Sequence, residues 1–265
     1  MAYLVNANVS ALNVYNNLGV HQAKSSASLA RISSGLKAAG GGDVASQGTA
    51  ATLNAATQAT QSSISQVQSA INRLQAADAA LGETIALAQK GIEIASRGTD
   101  AGADLSALHA ALTANSAGIA SIKANTQFNG TALSTGVTVD VGADTSGVSI
   151  TVTPTFTTAP TVTALDATTP VAANITSTLT AYNTFVGATV DNRATNAGNL
   201  ASLQNTLQVL NSVAANEMAG IGQAQDTDIA KEMMSLTSAN IMTEAATAML
   251  AQAMQMPNSV LKLLQ

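Results

Sequence analysis

The sequence predicts a mainly α fold: a long antiparallel helical bundle or coiled coil carrying a small β-hairpin insert. Three observations predict it. Between residues 64 and 95 apolar positions recur in alternating steps of three and four, a spacing that keeps them on one narrow helical stripe. The 265 residues include about a fifth Ala, only 2% aromatics and no Trp. Alanine buries little area, so at about 25 cal/mol per Å² a thick single core is disfavoured and thin, closely packed helices fit better. Only between 128 and 169 does the period fall to two.

In chain order, the first segment shows a diluted apolar face, Val5, Val9 and Leu12, then Leu29, Ile32 and Leu36. The strongest stripe follows as Ile64, Val67, Ile71, Leu74, Asp78, Leu81, Ile85, Ala88, Ile92 and Ala95, with Asp78 its one polar break. Gly98, Asp100 and Gly102 suggest a tight reversal into a second helix bearing Leu105, Leu108, Leu112, Asn115, Ile119 and Ile122. Val137, Val139, Val141 and Val148, Ile150, Val152 alternate around a Gly/Asp/Ser turn and predict a hairpin; Thr, Pro154 and Pro160 then predict irregular, exposed backbone up to 170.

A long helix is expected from about 171 to 221, with a seam at Leu200, Leu203, Leu207 and Leu210. The C-terminal helix shows Ile229, Met233, Leu236, Asn240, Thr243, Thr247, Leu250 and Met254. Asp226 and Asp228 precede it as helix caps, and Pro257 is expected to kink or stop it. Polar residues dilute both terminal stripes, so a lone hairpin of the two ends is expected to be marginal in water.

Several function classes are disfavoured. Charged residues make up 9% of the chain, the net charge is −5, and ten scattered basic residues make no phosphate-binding face, so no nucleic-acid partner is expected. So few charges protect a monomer poorly against association, and the surface reads as one to be covered by copies of the chain. There is no Cys and no run of 18 apolar residues, and the start lacks a cleavable signal; membrane insertion is not expected. No catalytic constellation stands out and no metal or other cofactor is expected. His21 and His109 are 88 positions apart, and Gly40-Gly41-Gly42 lacks the Lys and Ser/Thr of a phosphate loop. Asp226 and Asp228 alone are a weak calcium signal. The methionines at 233, 234, 242, 249, 254 and 256 suit a helix that meets more than one partner, or ordinary packing equally well.

Ordered motifs at both ends carry a family resemblance. Val5-Asn6-Ala7-Asn8-Val9-Ser10-Ala11-Leu12-Asn13, Leu29-Ala30-Arg31-Ile32-Ser33-Ser34-Gly35-Leu36-Lys37 and Thr126-Gln127-Phe128-Asn129-Gly130 stand in the first half. Asp226-Thr227-Asp228-Ile229-Ala230, Glu232-Met233 and the ending from Ala251 to Leu264 stand in the second. The chain resembles bacterial flagellin of a short type over roughly its first 130 and last 90 residues.

The resemblance implies a secreted structural subunit, not an enzyme, that polymerises into the flagellar filament and serves swimming. It would be exported unfolded without a cleaved signal. Its partners would be copies of itself, an export chaperone on the C-terminal helix, and the filament cap and hook–filament junction proteins. Residues 1–39 and 226–265 would pair as the inner tube, packing through the apolar positions given above for the two ends together with Leu261 and Leu264. Residues 40–63 would form a spoke made compliant by three glycines, 64–127 and 171–221 the outer tube, and 128–170 an exposed insert. By the same resemblance Lys90, Glu93 and Ile94 occupy a patch contacted by a host innate receptor. Lys90 lacks the guanidinium fork and Gly91 is expected to loosen the helix, so weak activation is expected. Sugars O-linked to 145–169 are a further expectation by analogy. The alternatives are a hook–filament junction protein, which shares related end helices, and a non-flagellar secreted coiled-coil binding module or enzyme, which would need converging polar groups that the sequence does not show.

Overall fold

Gly91 sits on a buried line running along one face of a long helix, and the reason that line is buried explains the architecture. The structure is a computed structural model describing residues 8–100, 102–133, 136–140, 149–165 and 171–263. Among the described residues five α-helices follow in order: α1 (Val9–Ser34), α2 (Val44–Ser96), α3 (Leu105–Asn125), α4 (Val171–Gln225) and α5 (Ile229–Leu263). Between α3 and α4 lie strands β1 (Gln127–Phe128), β2 (Thr131–Ala132), β3 (Val137–Asp140) and β4 (Ser149–Val152). The chain divides into two compact units, Gln58–Ala214 and a unit of Met1–Thr57 with Ala215–Gln265.

In the Gln58–Ala214 unit α2 and α4 run antiparallel, fixed by Asp78 with Arg193, Gly91 with Tyr182 and Gly98 with Ile175. Val67, Leu74, Leu81, Ala88 and Ala95 are buried on α2, as expected. The other half of the expected stripe, Ile64, Ile71, Ile85 and Ile92, is only half-buried. The positions that complete the buried line are Ala70, Ala77, Thr84 and Gly91, each one residue before a bulkier one. Close helix approach demands small side chains at the line of contact, so the isoleucines flank the seam and do not fill it.

Gly91 shows this most sharply. A Cβ built there would come within 2.6 Å of Tyr182 Cζ and 2.8 Å of Cδ1. The helix is continuous through Gly91, so the glycine is a socket for the ring and not a loosened turn. Burial pushes the Tyr182 hydroxyl up to about 12. That hydroxyl shares its one proton between the Leu112 carbonyl at 3.2 Å and Asn115 Oδ1 at 3.1 Å, while Asn115 Nδ2 donates to the Leu87 carbonyl at 2.9 Å. One ring therefore ties α2, α3 and α4 together. Leu112, Ile119, Ile175 and Phe185 fill the surrounding cluster, with Leu105, Leu108 and Ile92 on its margin.

A second cluster joins Val67, Leu74, Leu203 and Leu210 to the hairpin residues Val139 and Val152, with Ile64, Ile71, Leu200 and Leu207 partly buried around it. A third holds Leu81, Leu133 and Phe156, flanked by Ile122. The β3–β4 hairpin is antiparallel, pairing Val137 with Val152 and Val139 with Ile150; its turn, Val141 and Val148 lie outside the described residues. A shorter hairpin was not legible from alternation: β1 and β2 close through Asn129 at φ 50° and Gly130 at φ 74°, a turn in which glycine takes the left-handed position freely.

Residues 153–165 are irregular, yet they do not stand free. Phe156 and Leu165 are buried, Ser116 Oγ donates to the Pro160 carbonyl at 2.7 Å, and Asn192 Nδ2 donates to Thr157 Oγ1 at 3.0 Å. Exposed residues such as Thr153, Thr155 and Thr158 alternate with these anchored ones, so the segment is exposed only in part. Pro257 does not stop α5, which continues to Leu263. The reversal between α2 and α3 is a single 3-10 turn, Arg97–Thr99, followed by Asp104, whose carboxylate caps α3 by accepting from Ser106 N and Ala107 N.

Candidate functional site

In the other unit, α1 and α5 pair side by side. Asn8 Nδ2 donates to the Ala253 carbonyl at 2.7 Å, Ser25 Oγ donates to Asn240 Oδ1 at 2.8 Å, and Arg31 Nη1 meets Glu232 Oε1 at 2.9 Å. As one number rises the other falls, so the two helices are antiparallel. Asn8 also caps α1 through Ala11 N, and Gly35 ends it at φ 72°.

The chain enters and leaves this pair through a short bridge. Leu36 pairs with Asp226, Lys37 N donates to the Gln225 carbonyl at 2.9 Å, and Thr227 N donates to the Gly35 carbonyl at 2.9 Å. Asp228 Oδ1 accepts from Ala230 N and Lys231 N at the start of α5. Asp226 acts through its backbone instead, since its N–H continues the α4 ladder to the Gly222 carbonyl. Two of the glycines of 40–42 lie against backbone: a Cβ on Gly40 would come within 2.9 Å of Ala27 Cα, and one on Gly42 would meet the Lys37 carbonyl, whereas Gly41, at φ 79°, has open space around it. Close contact is therefore made at Gly40 and Gly42 only, and α2 begins at Val44, inside the 40–63 stretch.

What the pair buries is unusual. On α5 the half-buried and buried positions run Glu232, Leu236, Ala239, Thr243, Ala246, Leu250, Ala253; on α1 they include Ala11, Val14, Leu18, His21, Ser25, Ser28 and Ile32. Small and polar residues dominate this seam, and only Ser28, Ala239 and Ala253 are fully covered. Most of the bulky residues point elsewhere. Val9, Leu12, Tyr15, Val20 and Leu29 on α1, and Ile229, Met233, Met234, Ile241, Met242, Met249 and Met254 on α5, are exposed, with fractions from 48% to 68%. Met233, Met234, Ile241 and Met242 line a shallow groove with Thr237 and Ser238.

Of the packing residues named for the two ends, Ile32, Leu36, Leu236 and Leu250 are half-buried, while Val9, Leu12, Leu29, Ile229, Met233 and Met254 are exposed. Val5 and Leu264, and the side chain of Leu261, lie outside the described residues. Val14, Leu18 and the alanines of the seam were missed. Ala239, Ala246 and Ala253 at intervals of seven were the available signal, obscured because alanine is everywhere in this chain.

The Arg31 guanidinium holds the Glu232 carboxyl below the usual carboxylate range, with help from Ser28. Arg193, in a two-armed pair at 2.7 and 2.9 Å, does the same for Asp78. A depressed folded value means that each pair's contribution is complete above the unfolded pKa of about 4 and is lost as pH falls through the lower folded value. Acid titration followed by circular dichroism is therefore expected to show loosening only below about pH 4. Glu232→Gln should blunt that acid limb; an unchanged limb would show that the α1–α5 pair does not depend on this carboxylate.

Lys90 and Glu93 are exposed on α2, with Glu93 held by Arg97 at 2.6 Å, and Ile94 packs partly against the α2–α3–α4 cluster. Among the described residues no group of three or more His, Cys, Asp or Glu is placed to hold a metal ion, and no helix is long and apolar enough to cross a membrane.

The family model of the bacterial flagellin N-terminal helical region matches residues 5–138, and that of the bacterial flagellin C-terminal helical region matches 174–264. Flagellin of Halalkalibacterium halodurans is 44% identical over 63 residues, covering 24% of this chain and 23% of that one. Flagellin A of Vibrio cholerae is 41% identical over 63 residues, 24% of this chain and 17% of that one. Flagellin of Bacillus subtilis is 43% identical over 63 residues, 24% of this chain and 21% of that one. The aligned stretch thus spans less than a quarter of each of these relatives.

Proposed function

Because the chain belongs to the bacterial flagellin family, we propose that it is a structural subunit that polymerises into an extracellular flagellar filament and serves swimming motility. The observation that carries this reading is the inverted burial of the α1–α5 pair. Two helices whose seam is mostly small or polar, with few leucines, while most of their large apolar side chains stand exposed, leave their main hydrophobic gain to be made elsewhere. Neighbouring copies supply matching surfaces, and the sparse charge keeps their repulsion low.

In this reading residues 1–39 and 226–265 form the inner tube, 64–127 and 171–221 the outer one, and 40–63 the connection between them. Before export, the exposed methionine face of α5 is the surface a flagellar chaperone would cover. The filament cap and the hook–filament junction proteins are the partners at the two ends of the polymer.

Electron microscopy of purified chain incubated with sheared filament seeds tests the proposal. Elongated filaments are expected; a protein that sediments as a monomer under all conditions would overturn it. The receptor patch gives a second outcome. Lys90 offers a point charge in place of a rigid fork, and Glu93 is engaged by Arg97, so weak activation of the host flagellin receptor is expected. Full potency of purified monomer on reporter cells would refute that.

A further inference from the structure

Six of the eight methionines fall between residues 233 and 256, and the chain has no Cys, so thioethers are its only sulfur. On α5, Met233, Met234, Met242 and Met249 are 48%, 68%, 49% and 59% exposed. None of the four belongs to the line from Glu232 to Ala253 that faces α1. Three of them line the groove beside Ile241. A thioether packed in a core is shielded from oxidants; these four, like Met254, are open to solvent around the part of α5 turned away from the α1 seam.

We propose that Met233, Met234, Met242 and Met249 form a redox modification site whose oxidation by a hydroperoxide switches off self-association. A sulfur lone pair attacks one peroxide oxygen, the S–O bond forms as the O–O bond breaks, and the departing hydroxide takes up a proton to leave as water. The sulfur is oxidised by two electrons to the sulfoxide and the peroxide is reduced. The sulfoxide oxygen is a strong acceptor on what was an apolar surface. Buried against an apolar neighbour it has no donor, so association is penalised. The α1–α5 seam contains none of the four sulfurs, so the pair itself persists.

The consequence for assembly rests on the polymerisation proposed above, and the experiment separates the two. Monomer is treated with hydrogen peroxide, sulfoxides are located by peptide mass spectrometry, and growth on seeds is compared with untreated chain. Sulfoxide should form at the four positions at a rate close to that of free methionine. Helical circular dichroism should be unchanged, and growth should slow by about tenfold or more. Methionine sulfoxide reductases of both epimer specificities should restore growth. The quadruple variant Met233→Leu, Met234→Leu, Met242→Leu, Met249→Leu should grow and resist peroxide.

Undiminished growth of fully oxidised chain would overturn the proposal, as would equal peroxide sensitivity of the leucine variant. If that variant does not grow, failure of the reductases to rescue wild-type chain decides against it. If untreated chain does not grow on seeds, the filament reading fails by itself. Protection of the four sulfurs by more than about tenfold relative to free methionine would then still reject the modification site.

Discussion

Gly91→Ala is expected to lower the unfolding free energy by about 1–3 kcal/mol, whereas Gly82→Ala, nine residues earlier in the same helix, should raise it by about 0.5–1 kcal/mol. Both changes give α2 the same improvement in helix propensity. They differ in what the new methyl meets. Around Gly82 there is open space, but at Gly91 the methyl enters the volume of the buried Tyr182 ring. The ring cannot move without loosening its hydroxyl bonds to Leu112 and Asn115. Urea unfolding followed by circular dichroism measures both; equal and stabilising effects would show that the α2–α4 contact at Tyr182 is slack.

The largest functional effect is expected from removing residues 229–265, which should abolish seeded growth while the Gln58–Ala214 unit stays folded. The physical reason lies in α1. A helix of 26 residues rich in serine, asparagine and alanine is marginal alone, and this deletion strips it of its partner along with seven of the twelve exposed large apolar side chains described on the two helices. The Gln58–Ala214 unit keeps its own three clusters. Removing only 262–265 should cost much less, because the seam residues through Ala253 remain. Electron microscopy reads the growth and circular dichroism the retained helix; robust filaments from the longer deletion would refute this division of labour.

Much of the fold was legible. The three-four repeat located α2 and the leucine seam of α4, the glycines after Ala95 located the reversal into α3, and the alternation around Val139 and Val152 located the hairpin. Each of these signals comes from bulky residues at a period, and hydrophobic periodicity reports bulk. Alternate positions of the seams are displaced by one residue for the same reason, while Val67, Leu74 and Leu81 on α2 and Leu236 and Leu250 on α5 do lie in them. On α2 the eye follows Ile71, Ile85 and Ile92, yet Ala70, Thr84 and Gly91 are the buried neighbours. On α5 it follows Met233 and Met254, yet Glu232 and Ala253 face α1.

The amino-acid order alone determined that the protein is helical, where its helices reverse, and which family motifs stand at its ends. Those are consequences of local spacing and turn chemistry, which a chain carries within a few residues of each position. Which face of each helix turns inward was decided only in three dimensions. With a fifth of the chain alanine, several faces are small enough to serve as a contact line. The choice falls to features far apart in sequence: a tyrosine needing a socket, an arginine meeting an aspartate 115 residues away, and a glutamate meeting an arginine 201 residues away.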